Sequence, residues 1–194
     1  MSNHIYHTQA LDYFNQTLQV DPSLFLTPLI KHLQPGSKIL DIGCGSGRDM
    51  LWLKGRAFDC TGLERSPELA ALARQHSCQP VILADFESFN FSRMNMDGVL
   101  LIGALVHIPP KNFPLVLSNI IKALKPEGLV LITMKQGQGM QEADDGRVFY
   151  LWGKEDLLSI LKKFGLICIE FSVQTSQVIK SDIWMGFVLR KRAC

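Results

Sequence analysis

Three acids each close a short apolar run. Asp41 ends "KILD", Glu64 ends "DCTGLE" and Asp85 ends "PVILAD". After the first acid, glycines stand at alternate positions, in the pattern Asp41-x-Gly43-x-Gly45-x-Gly47. A glycine inside an element costs roughly 0.5–1 kcal/mol relative to alanine, so three of them imply that something must approach the backbone closely. The pattern is not a nucleotide phosphate loop, because Gly-x4-Gly-Lys-Ser/Thr is absent. Nor is it the dinucleotide fingerprint Gly-x-Gly-x-x-Gly, because Arg48 occupies the last position of that frame and the third glycine comes one residue early. Glu64 lies where a ribose diol could be bound, and Asp85 stands beside Phe86. His107, in "GALVHIPP", carries a side chain suited to proton transfer near neutral pH.

These residues need elements to hold them. Leu11, Phe14 and Leu18 recur at helical spacing in "HTQALDYFNQTLQ", and Asp21-Pro22 reads as an N-cap with proline in the first turn of a second helix, which Pro28 should kink. From residue 36 the chain alternates. "KILDIG" is a strand and a short helix begins near Gly47. "DCTGLE" is a strand and Ser66-Pro67 opens a helix. "PVILAD" and "DGVLLIG" are the third and fourth strands. After Pro109-Pro110 comes a helix whose apolar stripe runs from Phe113 to Leu124, with Lys125-Pro126 as its stop. "GLVLITMK" is the fifth strand. Residues 136–153 read as a long polar loop, "KEDLLSILKKFG" as the last helix, and "LICIEFSV" and "IWMGFVLRK" as final strands. The expected fold is α/β: a doubly wound, mostly parallel seven-stranded sheet. The short link between the last two strands leaves no room for a crossover, so they should form an antiparallel pair.

Composition narrows the class. The chain has 194 residues, 47% of them apolar, enough for one domain with a full core. With 20 basic and 18 acidic residues, the net charge of +2 leaves no electrostatic footprint for nucleic acid or an anionic membrane. The five cysteines are scattered and form no Cys-x-x-Cys pair, which indicates neither a metal site nor a disulfide framework. Reduced thiols and the lack of a signal pattern or a spanning apolar stretch point to a cytoplasmic protein with no membrane partner, a monomer or homodimer.

In this order, "ILDIGCGSGRD", "GLERSPEL", "ADFESF", "DGVLLIGALVHIPP" and "ALKPEGLVLITMK" resemble the class I S-adenosylmethionine-dependent methyltransferases. The resemblance runs from about residue 36 to the C-terminus and is closest to bacterial stand-alone enzymes acting on small molecules. It implies a Rossmann-like domain over residues 36–194 behind a helical cap, residues 1–35. It implies S-adenosyl-L-methionine as cofactor, S-adenosyl-L-homocysteine as product, and no metal. The roles carried over are these. Gly43, Gly45 and Gly47 admit the amino-acid end of the cofactor. Asp41 orients that loop or reaches the ammonium through water. Glu64, with Arg65 beside it, takes the ribose hydroxyls. Asp85 takes the adenine amino group, Phe86 touches the ring, and Gly103 brings backbone close to the methionine moiety. Plainer readings stand beside them: Asp41 and Asp85 as local caps, Glu64 as a solvated acid, Phe86 as core.

Methyl transfer from a sulfonium needs positioning first and a base only if the acceptor must lose a proton. His107 is the candidate catalytic base; otherwise it packs near the Pro109 turn. "IPPK" resembles the Asn/Asp-Pro-Pro-aromatic motif of amino-group methyltransferases only superficially, since Ile108 and Lys111 stand at its defining positions. Residues 136–153 are expected to form a lid over the acceptor, with Lys135, Arg147 and Tyr150 as substrate contacts and an ion pair of Arg147 with Asp144 or Asp145 as the alternative. The N-terminal helix, with Tyr6, Tyr13 and Phe14, should close the other side, with Tyr13 as a further substrate contact. Methylation of a small molecule is the leading function. Methylation of a modified tRNA base and non-catalytic binding of the cofactor are the alternatives.

Overall fold

Five parallel strands and two antiparallel ones build a sheet in the order β3-β2-β1-β4-β5-β9-β8. The computed structural model describes residues 10–193; Tyr6 lies outside them. The parallel strands are β1 (Lys38–Ile42), β2 (Asp59–Glu64), β3 (Val81–Leu83), β4 (Met96–Ile102) and β5 (Leu124–Lys135). β8 (Leu166–Thr175) and β9 (Ile183–Lys191) form the expected antiparallel pair, and β9 also pairs antiparallel with β5.

The apolar runs of the central strands are continuous because both faces are covered. Successive side chains point to opposite faces. Ile39, Leu100 and Leu131 join one core cluster, and their neighbours Leu40, Leu101 and Ile132 join the other. The first face is covered by α2 (Ser23–Ile30), through Leu26 and Leu29, with α3 (Arg48–Lys54) and α4 (Pro67–Ser77). The second is covered by α5 (Phe113–Ile120) and α6 (Lys154–Lys163), through Phe113, Leu117, Leu157 and Leu161. Each fully buried aliphatic side chain contributes roughly 1.5–3 kcal/mol. The first helix, α1 (Ala10–Leu18), sits at the edge of this core.

Local signals fix the ends. Ser66 Oγ accepts the Leu69 N–H at 3.2 Å and caps α4, and Asp21 Oδ1 accepts the Ser23 N–H at 2.9 Å before α2. Two expectations are corrected. The stripe from Phe113 does not carry a helix to Leu124: α5 stops at Ile120, a single 3₁₀ turn follows, and Leu124 already opens β5, which runs through Pro126. Residues 136–153 are not an irregular loop. β6 (Met140–Glu142) and β7 (Val148–Tyr150) form an antiparallel hairpin, closed by a turn in which the Ala143 N–H donates to Arg147 O at 2.9 Å. Its base is tied to β5, where the Trp152 N–H donates to Lys135 O at 3.1 Å.

Candidate active site

The strand order reverses beside β1, which pairs with β2 on one side and β4 on the other. At such a switch point the connections leave in opposite directions and open a crevice beyond the carboxyl ends of the strands. That crevice is lined by Gly43 and Gly45 after β1, Glu64 and Arg65 at the end of β2, Phe86 and Glu87 after β3, Gly103, Ala104 and His107 after β4, and Tyr13 from α1.

The three glycines have different reasons. Gly43 and Gly45 line the crevice at φ +70° and +52°, and a Cβ at Gly43 would press on Ala104 Cβ at 3.2 Å. Gly47 does not line it. At φ +73°, a Cβ there would meet Ala73 O at 2.9 Å, so this glycine serves the close approach of α3 to α4.

Glu64 is the organising acid. Its Oε2 accepts the Gly45 N–H at 3.1 Å, and its Oε1 accepts the N–H groups of Arg65 and Ser66, both at 2.9 Å. A carboxylate offers about four acceptor positions, so three are in use and one, on Oε2, remains. Glu64 is 6% exposed and anchors the glycine loop to the end of β2.

Asp41, two residues before Gly43, is 2% exposed, and its Oδ2 is buried with no hydrogen-bond partner among the described residues. Burial holds its carboxyl well above the usual range, reinforced by the nearby negative charges of Asp49 and Glu64 and opposed by Arg48. Such an orphaned acceptor costs about 1–3 kcal/mol until a partner arrives. Cys44, in the loop, is buried, and its thiol is pushed up by burial, so it is not a reactive thiolate.

Asp85 turns inward to its own turn. Its Oδ1 accepts the Glu87 N–H at 2.9 Å, and it does not line the crevice, whereas Phe86 does. His107 packs on Phe149 with ring centroids 4.7 Å apart, and its Nδ1 lies 2.6 Å from Val148 O. A carbonyl only accepts, so Nδ1 carries the proton. Burial lowers the His107 pKa to about 4, against the hydrogen bond to Val148, with the positive charges of Arg147, Arg65 and Lys135 adding to the fall.

Of the proposed acceptor contacts, Tyr13 lines the crevice, and Lys135, Arg147 and Tyr150 fall outside it. Lys135 is 3% exposed, bonded to Asp182 at 2.6 Å, and sits 3.8 Å over the Phe149 ring. Arg147 pairs with Asp145 at 2.7 Å. Tyr150 ends β7 and lines neither this crevice nor the cavity next to it. That cavity is lined in part by Thr133, Gln174 and Trp184, none of which a sequence motif marks.

Residues 39–128 match the family model of a methyltransferase domain. The 1,6-didemethyltoxoflavin-N1-methyltransferase of Burkholderia thailandensis, solved with 1,6-didemethyltoxoflavin and S-adenosylhomocysteine, superposes with a TM-score of 0.78 at 20% identity, over 98% of this chain and 85% of that one. The fold is that of the class I S-adenosylmethionine-dependent methyltransferases, and the matched methyltransferase domain takes up just under half of the chain. Among curated relatives, the chain is 30% identical over 105 residues to an uncharacterised protein of Methanocaldococcus jannaschii, covering 54% of this chain and 39% of that protein. It is also 30% identical over 106 residues to the cyclopropane-fatty-acyl-phospholipid synthase of Escherichia coli, covering 52% of this chain and 26% of the synthase. The chain thus spans well under half the length of these curated relatives. The proteins that share the methyltransferase core are named for different acceptors, so the core alone does not determine this one.

Proposed function

We propose that the protein transfers a methyl group from S-adenosyl-L-methionine to a small-molecule acceptor. The observation that carries this reading is the crevice at the β1/β4 switch point, where Gly43, Gly45 and Gly103 open backbone beside the Glu64 carboxylate. Its residues fit the cofactor. The remaining lone pair of Glu64 Oε2 can accept one ribose hydroxyl, and a second would displace the Gly45 N–H. Phe86 offers a face to the adenine. Asp41 does not line the crevice, so its orphaned Oδ2 would reach an ammonium only through water. The cofactor, when bound, supplies an already activated methyl group on a sulfonium.

The protein's own contribution is positioning and exclusion of water. The described part of the proposed cap, residues 10–35, closes the crevice, with Tyr13 over Gly45 (a Cβ at Gly45 would lie 3.2 Å from the Tyr13 ring). His107, neutral and fixed by Val148, shapes the crevice wall near Gly103 and orients the reactants more than it moves protons. The near-neutral charge supports a small acceptor over an RNA.

The test incubates the protein with methyl-labelled S-adenosylmethionine and a cell extract fractionated into small molecules, RNA, protein and lipid. Label in the small-molecule fraction supports the proposal. Label confined to RNA, protein or lipid overturns it.

A further inference from the structure

A second cavity adjoins the crevice, and Tyr13, Ile102 and Gly103 line both. Its far wall is the β8–β9 hairpin, where Gln174 and Trp184 are register partners. Its roof is the N-terminal helices docked on the hairpin turn. The Asp21 N–H donates to Gln177 Oε1 at 3.1 Å, and Gln177 Nε2 donates back to Asp21 O at 3.2 Å. Its floor is the end of β5, where Thr133 Oγ1 accepts the Gly103 N–H at 2.9 Å. Trp184 reaches Gly103 itself, since a Cβ there would lie 3.7 Å from Trp184 Cη2.

The polar groups of this cavity are uncharged, ion-paired or, in Asp21, a carboxylate already accepting two hydrogen bonds, so no cation is left over for an anionic ligand. Arg48 is paired with Asp49 at 2.7 Å, and Asp21 is bonded to the Ser23 N–H and hydroxyl. Lys135 and Arg147, the cations that could hold an anion, line neither cavity and are paired with Asp182 and Asp145. Gln174 Oε1, by contrast, is buried with no hydrogen-bond partner among the described residues. The Thr133 hydroxyl hydrogen is committed to no described residue. Buried polar groups without partners are rare in native structures and call for an explanation. A mostly apolar cavity with a few converging polar groups is the usual form of a small-molecule site.

We infer that this cavity holds the methyl acceptor, and that the acceptor is an uncharged, flat molecule with an amide or lactam edge. The edge is read by Gln174, whose side chain can accept from and donate to it at once, and the flat face packs on Trp184. Sharing Gly103 with the crevice places the acceptor next to the proposed cofactor site. This inference rests on the methyltransferase reading of the crevice and deepens it.

The test is calorimetry with the whole protein, first with S-adenosylhomocysteine, then, at saturation, with quinolin-2(1H)-one as neutral lactam probe and quinoline-2-carboxylate as its anionic counterpart. The lactam is expected to saturate one site per chain, and the carboxylate to bind at least tenfold more weakly. Gln174→Leu should weaken the lactam tenfold or more while S-adenosylhomocysteine affinity stays within twofold. Gln174→Glu, which keeps the shape but can only accept, should also weaken it; it serves if the leucine variant does not fold. A carboxylate that binds as tightly as the lactam, a lactam that fails to saturate, or variants that leave its affinity unchanged would each overturn the inference while S-adenosylhomocysteine binding stands. Failure of S-adenosylhomocysteine itself to bind overturns the cofactor reading, and this inference with it.

Discussion

The Nδ1–H of His107 donates to the Val148 carbonyl at 2.6 Å, tying the turn after β4 to the β6–β7 hairpin. The bond fixes the tautomer, and burial, outweighing that bond, holds the imidazole neutral. With its pKa lowered to about 4, it stays uncharged across the physiological range and is a weak proton acceptor. The rate of methyl transfer is therefore expected to show no ionisation near pH 6.5 from this residue. His107→Asn should keep most of the turnover and the cofactor affinity. A pH–rate profile with an inflection near 6.5 that disappears in the variant, together with a hundredfold loss of rate, would make His107 the base.

The same group sets an acid limit on stability. Its folded pKa lies below the unfolded value of 6.5, so its contribution is present above pH 6.5 and is lost as pH falls towards 4. Between pH 7 and pH 5 this amounts to about 2 kcal/mol. Urea unfolding at the two pH values measures it. The native protein should lose that increment, and His107→Asn should lose much less. Equal losses in both would show that other groups carry the acid sensitivity.

Asp41 has the opposite sign. Its folded pKa is raised above the unfolded value of 3.8, so the empty protein loses stability as pH rises from there through the folded value. Asp41→Asn is expected to raise the melting temperature of the empty protein at pH 8 by a few degrees, from about 1 kcal/mol. On the proposed water-linked contact of Asp41 with the ammonium, it should also weaken S-adenosylhomocysteine about tenfold. A melting temperature and an affinity that both stay at the native values would leave Asp41 without the role assigned to it.

Gly47 and Gly146 separate packing from backbone strain. Both have φ in the left-handed region, at +73° and +79°, but a Cβ at Gly47 meets the Ala73 backbone while one at Gly146 meets nothing within 4 Å. Gly146→Ala should cost about 1–2 kcal/mol, the left-handed penalty alone. Gly47→Ala should cost roughly 3 kcal/mol or more, with the α3–α4 clash added. Denaturant titration of the two variants is decisive: equal losses would mean that α3 moves aside freely.

The parts that sequence made legible depend on local rules. The acids at the strand ends, the glycine pattern and the short apolar runs each follow from one segment read by itself, and Gly43, Gly45, Glu64, Phe86, Gly103 and His107 do meet in one crevice. What was missed depends on distant partners. Lys135 reads as an available cation until the turn before β9 brings Asp182 to it. Gln174 acquires meaning only from its register with Trp184. The hairpin of β6 and β7 has strands of three residues each, too short for a period to show, although Asp145-Gly146 was a turn signal. Leu124 continued a helical stripe by type but was claimed by β5, whose pairing with β4 outweighs one more helical residue.

The central claim is that the crevice beside Glu64 is a cofactor site, and calorimetric titration of S-adenosylhomocysteine into the native protein and Glu64→Gln tests it most directly. Glutamine keeps the shape and one acceptor oxygen but loses the charge that now holds Gly45, Arg65 and Ser66. The account predicts saturation at one ligand per native chain, unchanged by a chelator, and an affinity lower by roughly ten- to a hundredfold in Glu64→Gln, the loss of charge-assisted contacts. Absence of binding to the folded native protein, or equal affinity in a folded Glu64→Gln, would contradict it.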